Sequence, residues 1–367
     1  MSAPAAVPRL TPVAETTAAR DWLAATHAAV DRSLHAFLDA KRLSGEPGAG
    51  GPAAPVDALR AFLGGPGKRV RPLFCRIGWR AVSDGPPDPR LADIGVGLEL
   101  LHGHALVHDD VVDRSALRRG RPTVHRACAA QRGGDAWYGI SAAVLLGDLA
   151  ALWADECFQR LHEPGVPAAA RTQLGLMRQE LLTGQLLDLA EPSEPFGTVE
   201  EAFAVIDAKT VAYTVRGPLL IGAAMAGADR AGTDALAGYA RSLGEAFQLQ
   251  DDLEDVTAAD TGGEDLREGK RTAVVALAAE AGTAAQRATM ARLLGRPGLT
   301  DAELAELRAV LTATGAVARV RAMVLERRRA ALDTAARGPF TGTGRALLTA
   351  MTDRALPGVA DWEENAA

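Results

Sequence analysis

The stretch "ELLHGHALVHDDVVD", residues 99 to 113, runs from an apolar segment directly into three carboxylates, Asp109, Asp110 and Asp113. On a helix, the first and fifth positions of this D-D-x-x-D motif are neighbours on one face. Unneutralised carboxylates there repel one another, and aspartate is a poor helix former. The stretch therefore predicts a helix that brings acidic side chains to a partner of opposite charge.

A second copy of the motif follows an apolar run in "FQLQDDLED", residues 247 to 255, as Asp251, Asp252 and Asp255. Either motif alone is typical of a solvated acidic helix end. Two copies in matching apolar surroundings instead favour a shared cation site. A dense set of oxygen ligands suits Mg²⁺, which keeps several waters and usually completes its shell with substrate phosphate.

The rest of the chain predicts an all-α fold. Of its 367 residues 48% are hydrophobic but only 4% aromatic, which suits closely packed helices better than strands. Long segments repeat apolar residues at helical spacing, no alternating strand pattern is convincing, and Thr198 with Glu201 forms a capping-box helix start. We expect a flexible tail over 1–18 and one helical domain over 19–360, with a Gly/Pro/Ala-rich loop over 42–57 and a C-terminal tail over 361–367.

Charge, cysteines and hydropathy exclude several classes of protein. The net charge of -6 leaves no basic surface for nucleic acid. The odd, widely spaced cysteines Cys75, Cys128 and Cys157 fit a reduced cytoplasm, and the first twenty residues lack a signal-peptide pattern. The most apolar later stretch, 218–228, is too short to span a bilayer, so we expect a buried helix and no transmembrane segment.

Cations cluster near both acidic motifs. Only four of the 40 basic residues are lysines, so a lysine that remains can be one that arginine cannot replace. The clusters are Lys68, Arg69 and Arg71 in "GPGKRVRP", the pair Arg118 and Arg119, and Lys270 in "DLREGKRT". The last cluster is not a P-loop, since Glu264 and Arg271 occupy positions that need Gly and Ser or Thr. Separate clusters predict more than one anionic group.

From Gly67 to Thr272 the chain resembles the trans-isoprenyl diphosphate synthases, or polyprenyl synthetases, and is most like geranylgeranyl diphosphate synthases. The motifs that carry this resemblance, in order, are "GKRVRP", "ELLHGHALVHDDVVDRSALRRGRPTVH", "LLGD", "GQLLDL", "KTVAYT", "FQLQDDLED" and "DLREGKRT". The resemblance implies an all-α bundle around a deep central cavity, usually as a homodimer, with the two aspartate motifs facing each other across the mouth.

The chemistry implied by the resemblance is a head-to-tail (1′-4) condensation. An allylic diphosphate (dimethylallyl, geranyl or farnesyl) ionises, isopentenyl diphosphate attacks the cation, and a proton and diphosphate are released. Mg²⁺, with about three ions per site bound together with the allylic diphosphate, stabilises the departing group.

Residue roles are carried over position by position. Asp109, Asp113 and Asp251 resemble direct metal ligands. Asp110, Asp252, Asp255 and Asp265 resemble supporting or water-mediated ligands, and Asp255 is counted in the metal set. Arg118, Lys209 and Lys270 match the allylic diphosphate site. Lys68, Arg71, His102 and Arg119 match the isopentenyl diphosphate site. Gln185, Asp188, Thr210, Tyr213 and Gln248 match the lining of the reaction centre. His108 and His125 match the pattern and are expected to be structural.

Two positions bear on what is particular to this chain. The loop between Asp255 and Asp265 is short and lacks the family's Gly-Lys pair, with Thr261 near the lysine position. We expect that phosphate contact to be missing or to be supplied by another residue, such as Arg267 or Arg271. Five residues before the first motif, His104 is expected to form the floor for the growing chain, with the small Ala105 after it. In the family that the chain resembles, a floor residue of medium size and a first motif without a two-residue insertion favour a twenty-carbon product, with farnesyl diphosphate as the alternative.

Two other classes remain open. A class I terpene cyclase also ionises an allylic diphosphate with Mg²⁺, but it needs no second diphosphate site and usually carries a different second motif. A non-catalytic partner subunit of a heteromeric synthase tends to lose one acidic motif, and both are intact here.

Overall fold

The computed structural model describes residues 12–41, 53–190, 193–258 and 262–364. The expected tail up to residue 11, most of the loop over 42–57, Thr261 and the last three residues lie outside the described residues. The expectations made for those positions therefore stay expectations.

The described residues are almost entirely helical, which confirms the predicted fold class. The first half contains α1 (Pro12–Ala40), α2 (Ala53–Leu63), α3 (Val70–Val82), α4 (Leu91–Val112), α5 (Val124–Gln131), α6 (Ala136–Phe158) and α7 (Ala168–Leu189). The second half contains α8 (Val199–Val205), α9 (Gly217–Met225), α10 (Arg230–Thr257), α11 (Glu264–Glu268), α12 (Ala273–Ala281), α13 (Ala284–Leu293), α14 (Asp301–Ala313), α15 (Ala316–Arg337), α16 (Gly342–Ala355) and α17 (Val359–Glu364).

Three short elements interrupt this pattern. A 3₁₀ turn, Gln159–His162, follows α6, and a π-helical segment, Ile206–Arg216, joins α8 to α9. The two-residue strands β1 (Leu117–Arg118) and β2 (Arg121–Pro122) pair antiparallel as a tight hairpin after α4. Sequence patterning predicted neither the hairpin nor the π-helix.

Helix starts follow local sequence chemistry. At α8 the Thr198 hydroxyl accepts from the Glu201 backbone N–H, and the Glu201 carboxylate accepts from the Thr198 N–H, which confirms the predicted capping box. The first helix begins at Pro12 rather than near residue 19, so residues 12–18 are helical. Proline is well tolerated in a first helical turn because its missing N–H has no partner there.

Two apolar clusters form the core around α4 and α10. In one, α4 lies against α6; in the other, α10 packs on α15 and on the π-helical segment. Helices α3 and α9 approach so closely that a Cβ on Gly222 would lie 1.7 Å from the Cys75 carbonyl oxygen, and one on Gly78 would lie 1.9 Å from that of Leu219. Only glycine permits this contact, which fixes α3 and the loop before it.

Residues 218–225 lie in the buried α9, as predicted, and residues 226–228 follow the end of that helix. Among the described residues one segment, Ala136–His162, is long and apolar enough to cross a membrane by length and composition. Only a third of its apolar window is buried in the chain, and large side chains such as Leu145 and Leu152 are exposed. Helix α6 therefore carries an apolar outer face.

Candidate active site

The two aspartate motifs meet at a cavity of about 1040 Å³ that is bounded by α4, α7, α10, the π-helical segment and the loop before α3. Most of the residues singled out in the sequence line it. These are Lys68, Arg71, His102, Ala105, Asp109, Arg119, Gln185, Asp188, Lys209, Thr210, Tyr213, Gln248, Asp251, Asp252, Asp265 and Lys270. Motifs that lie far apart in the chain thus face one space.

In the first motif, Asp109 is the carboxylate that faces the cavity. Its Oδ1 accepts a hydrogen bond from Gln185 Nε2 at 2.8 Å and lies 3.6 Å from Lys209 Nζ. Lys209 in turn donates to Asp188 at 2.6 Å. Charges of both signs are therefore gathered on α4, α7 and the π-helical segment around one carboxylate.

Asp110 differs sharply from its neighbour because it is fully buried. Arg118 Nε donates to Asp110 Oδ1 at 2.5 Å, while Asp110 Oδ2 has no partner. Arg118 lies on β1, and Arg119 and Gly120 both have positive φ, the backbone of a tight hairpin turn. Asp110 thereby anchors the hairpin that presents both arginines to the site.

Lys270 connects the first motif with the chain that follows the second. Its Nζ lies 3.6 Å from Asp113, 2.9 Å from Asp265 and 3.0 Å from Glu268. Burial disfavours its charge, but Asp265 and Asp113 more than offset this, so the pKa of Lys270 is raised. The ammonium therefore stays charged between the carboxylates.

In the second motif, Asp252 is buried and forms part of a chain of hydrogen bonds. Gln248 donates to Asp252 Oδ1 at 2.9 Å and accepts from the Thr210 hydroxyl at 2.7 Å. Asp251 faces the cavity, whereas Asp255 Oδ1 accepts from the Gly263 N–H at 2.6 Å. The middle aspartate of each motif thus braces the helix, and the outer ones are more accessible.

The carboxylates fit a site for hard divalent cations. Burial, and then the charge of Asp109, raises the pKa of Asp113 to about 6. Burial also raises the pKa of Asp252 to about 7, with further contributions from Asp265 and Asp251. These carboxylates are crowded and have raised pKa values, and a buried oxygen of Asp255 has no hydrogen-bond partner. A cation bound among them would stabilise both their charge and that oxygen.

A separate cationic group lies deeper along α3 and α4. Arg71 donates to the Thr214 hydroxyl at 2.7 Å and stacks 4.3 Å from the centroid of the Tyr213 ring. Burial, and then Arg71 and Arg119, holds the pKa of His102 well below its usual value, so the imidazole is neutral. Its buried Nδ1 has no partner. Together with Lys68, these groups form a second cationic group on the cavity wall.

Arg69, which was noted only as part of a cationic cluster, holds the loop of this second cationic group. It has a left-handed backbone with φ 48° at the start of α3. Its guanidinium donates to Asp31 at 2.7 Å, to Glu99 at 3.0 Å and to the Gly65 carbonyl at 2.7 Å. Because Asp31 and Glu99 lie on α1 and α4, Arg69 fixes the loop carrying Lys68 against two helices.

The π-helical segment places Lys209, Thr210 and Tyr213 on the cavity wall. A π-helix has more residues per turn than an α-helix and is found mostly at functional sites. Nothing in the spacing of "KTVAYT" distinguished it from an ordinary helix. It brings the ammonium and the hydroxyl of adjacent residues into one space.

Some expected residues lie elsewhere. His104 does not line the cavity: its Nδ1 lies 3.0 Å from the Gly147 carbonyl oxygen, so the ring packs on α6, while Ala105 faces the cavity. Arg267 is turned toward Asp301, 2.7 Å away, which leaves Arg271 as the cavity-lining candidate for the missing lysine contact. Arg354 of α16 also lines the cavity and had no motif to reveal it.

An all-α cavity lined by two aspartate motifs and two cationic groups fits an enzyme that handles diphosphates together with a divalent metal. The chain belongs to the polyprenyl synthetase family, whose model matches residues 55–311. It is therefore a prenyltransferase, a short-chain trans-prenyl diphosphate synthase.

Relatives agree with this assignment in both sequence and structure. The chain is 30% identical over 255 residues to a short chain isoprenyl diphosphate synthase of Methanocaldococcus jannaschii, covering 68% of this chain and 74% of that one. It is 35% identical over 250 residues to a (2E,6E)-farnesyl diphosphate synthase of Mycobacterium tuberculosis, covering 66% of each. A geranylgeranyl pyrophosphate synthase of Corynebacterium glutamicum, solved with isoprenyl diphosphate and magnesium, superposes with a TM-score of 0.81 at 32% identity, over 89% of this chain and 97% of that one.

Proposed function

We propose that the protein catalyses the Mg²⁺-dependent head-to-tail condensation of isopentenyl diphosphate with an allylic diphosphate. The observation that carries this proposal is a single cavity lined by two sets of cations: Lys209 and Lys270 beside the carboxylates of the first motif, and Lys68, Arg71 and Arg119 along the loop before α3 and the hairpin. A terpene cyclase needs no second diphosphate site, so the group around Arg71 and His102 favours the synthase. The intact aspartates on both α4 and α10 disfavour a non-catalytic subunit.

In this proposal Asp109, Asp113 and Asp251 hold Mg²⁺, with Asp255 in the same set. Bound there, Mg²⁺ neutralises the charge that develops on the departing diphosphate. Lys209 and Lys270 already lie beside these carboxylates and can turn to the same phosphate oxygens. Such donors, fixed before the C–O bond breaks, stabilise the leaving group without reorganising during the reaction.

The second diphosphate would bind Lys68, Arg71, Arg119 and the neutral His102. An uncharged imidazole can donate its N–H to a phosphate oxygen without adding to the repulsion among the surrounding arginines. Thr210 and Gln248 lie between the two groups in a hydrogen-bonded chain and expose dipoles to the centre, where the allylic cation would form. The two substrates are thereby held in one orientation, which favours the condensation.

We also propose a twenty-carbon product. The relatives bear the names of enzymes with different products, so likeness alone does not select one. The small Ala105 on the cavity wall and the volume of the cavity support a product longer than farnesyl. Because His104 does not line the cavity, it would limit the length of the product only through its packing on α6. Ala105→Phe should therefore shorten the product by at least one five-carbon unit, and His104→Ala should lengthen it if His104 forms the floor.

A homodimer is the proposed assembly. Leu145 and Leu152 on α6, seven residues apart, and Leu182 and Leu186 on α7, four apart, present an apolar face, with Leu145 and Leu186 each 69% exposed. Exposed large apolar side chains gathered on neighbouring turns of a helix are typical of a protein interface. Leu145→Glu with Leu186→Glu should give a monomer by light scattering. A wild-type protein that is monomeric, or that sediments with lipid vesicles, would contradict the dimer.

The test of the proposed reaction uses purified protein, isopentenyl diphosphate, Mg²⁺ and each of the dimethylallyl, geranyl and farnesyl diphosphates in turn. We expect prenyl diphosphates ending at twenty carbons and release of inorganic diphosphate, measured by chromatography. Omitting isopentenyl diphosphate is the control that identifies a cyclase, which would then release a hydrocarbon or terpene alcohol. No product in any mixture would contradict the proposed function.

A further inference from the structure

Outside the cavity, two histidines and an aspartate converge between α4 and α6. His104 and His108 are one turn apart on α4, and their ring centroids are 4.5 Å apart. Asp148 faces them from α6, and His108 Nε2 lies 3.8 Å from its carboxylate. One ligand atom from each of the three side chains falls within 4.8 Å of the others.

The two rings are already oriented by α6. His104 Nδ1 lies 3.0 Å from the Gly147 carbonyl oxygen, and His108 Nε2 lies 3.1 Å from that of Val144. A histidine that donates one ring N–H to a backbone carbonyl presents its other nitrogen as a lone pair, the arrangement commonly found for histidines that bind metals. His104 has this arrangement, whereas in His108 the same nitrogen, Nε2, faces both the Val144 carbonyl and Asp148. In His104 the nitrogen left for a ligand is Nε2.

Residue 147 makes room for this cluster. A Cβ on Gly147 would lie 2.2 Å from His108 Nε2 and 2.4 Å from its Cδ2, so any larger residue there would displace the ring. Packing the ring against bare backbone brings it within reach of Asp148 on the next position of the same helix. The close approach of His108 to Asp148 therefore depends on how α4 packs against α6 as well as on the side-chain rotamers.

We propose that His104, His108 and Asp148 form a binding site for a transition-metal ion of the Zn²⁺ class, which ties α4 to α6 beside the first aspartate motif. Two imidazoles and one carboxylate suit Zn²⁺, and three protein ligands leave its fourth tetrahedral position for water. Tetrahedral Zn²⁺ with ligands at its usual bond lengths holds them about 3.3 Å apart. The side chains therefore close by a small rotation when the ion binds, and His108 exchanges its carbonyl contact for the metal.

This site differs in chemistry from the aspartate motifs. Those motifs offer only oxygen ligands, which suit Mg²⁺, whereas imidazole nitrogen selects softer divalent ions. Excess Mg²⁺ should therefore leave the histidine site available. The two kinds of site can be separated in one titration.

The experiment titrates Co²⁺, a spectroscopic substitute for Zn²⁺, into the full chain without a polyhistidine tag and in excess Mg²⁺. We expect visible absorption of four-coordinate Co²⁺ that saturates at one ion per chain and is displaced by Zn²⁺. Asp148→Asn and His108→Gln should each weaken binding at least about tenfold. His162→Gln, which changes an exposed histidine on the 3₁₀ turn, is the matched control and should bind as the wild type does.

Thermal unfolding supplies a second readout. An ion that binds only the folded chain raises its Tm, so Zn²⁺ should stabilise the wild type and His162→Gln but not Asp148→Asn. Because Asp148 is exposed, its asparagine variant should fold even if His108→Gln does not. Absence of the visible band in the wild type, or equal Co²⁺ affinity in wild type and Asp148→Asn, would overturn the proposal.

Discussion

Replacing Arg69 by methionine should damage both stability and the binding of isopentenyl diphosphate. Arg69 and Glu99 are each 6% exposed, and the second oxygen of Glu99 has no partner even in the wild type. Burial opposes the charge of Arg69, but Glu99 and Asp31 more than offset it, so the pKa of Arg69 is raised and its guanidinium stays charged. Methionine fills the volume but leaves the Glu99 carboxylate buried without a cation.

The magnitude follows from the contacts that are lost. Removing one member of a buried ion pair costs about 3–5 kcal/mol, most of it from the charge left behind. Arg69→Met should therefore lower the free energy of unfolding by about that amount, measured in urea. Adding Glu99→Gln removes the stranded charge and should restore about 2 kcal/mol. Arg32→Met, on the exposed side of α1, is the control and should change stability by less than about 0.5 kcal/mol.

The same substitution tests the link from packing to the site. Since Arg69 positions the loop with Lys68 and Arg71, the KM for isopentenyl diphosphate should rise about tenfold more than that for the allylic primer. Arg69→Lys keeps the positive charge but loses the forked guanidinium group, so it should raise the KM for isopentenyl diphosphate by a smaller factor. A loss of stability below about 1 kcal/mol, or a double variant no more stable than Arg69→Met, would refute the reasoning.

Three further outcomes are expected. Asp251→Asn should lower kcat on the order of 100-fold or more, because it removes a carboxylate that faces the active-site cavity. The circular dichroism should not change, since the substitution leaves no packing defect in the core. Near-normal turnover would contradict the metal role. Lys68→Ala should raise the KM for isopentenyl diphosphate more than that for the primer, and an effect confined to the primer would reverse the two sites. In the folded chain the pKa values of Asp113 and Asp252 are about 6 and 7, above those of the unfolded chain, so the metal-free protein should become more stable as the pH falls from 8 to 6. Over the same range the Mg²⁺ concentration needed for half-maximal activity should rise, because protons compete with the metal. Opposite slopes in thermal unfolding and in kinetics measured against pH would contradict this.

The fold class and the main cavity residues were predictable because their physical basis is local. Helical spacing of apolar residues sets the elements, and a D-D-x-x-D motif on a helix presents carboxylates together whatever packs around it. The cation clusters were visible for the same reason, as short runs such as "GKRVRP". Thr198 with Glu201 also required only a three-residue spacing.

What the sequence did not reveal depends on contacts between distant segments. Arg69 meets Asp31 and Glu99, 38 and 30 residues away, and no spacing rule relates such partners. The π-helical segment at Lys209 arises from packing among α7, α10 and the cavity, since its composition is that of an ordinary helix. Arg354 reaches the site from α16 without any motif around it. Position 104 was judged from its distance in sequence to the motif, whereas the helix turns its side chain toward α6.

The two aspartate motifs also show that adjacent aspartates within one motif have different structural roles. Asp109 and Asp110 are adjacent, yet one faces the cavity and the other is fully buried against Arg118, because successive helical residues point about 100° apart. The same division recurs in Asp251 and Asp252, where the buried member is hydrogen-bonded to Gln248. Each doubled aspartate therefore supplies one carboxylate that faces the cavity and one that fixes the helix or the neighbouring hairpin. In the proposed reaction, a chain that kept only the first and fifth aspartates would keep its metal ligands but lose the support that holds Arg118 and Gln248 in place.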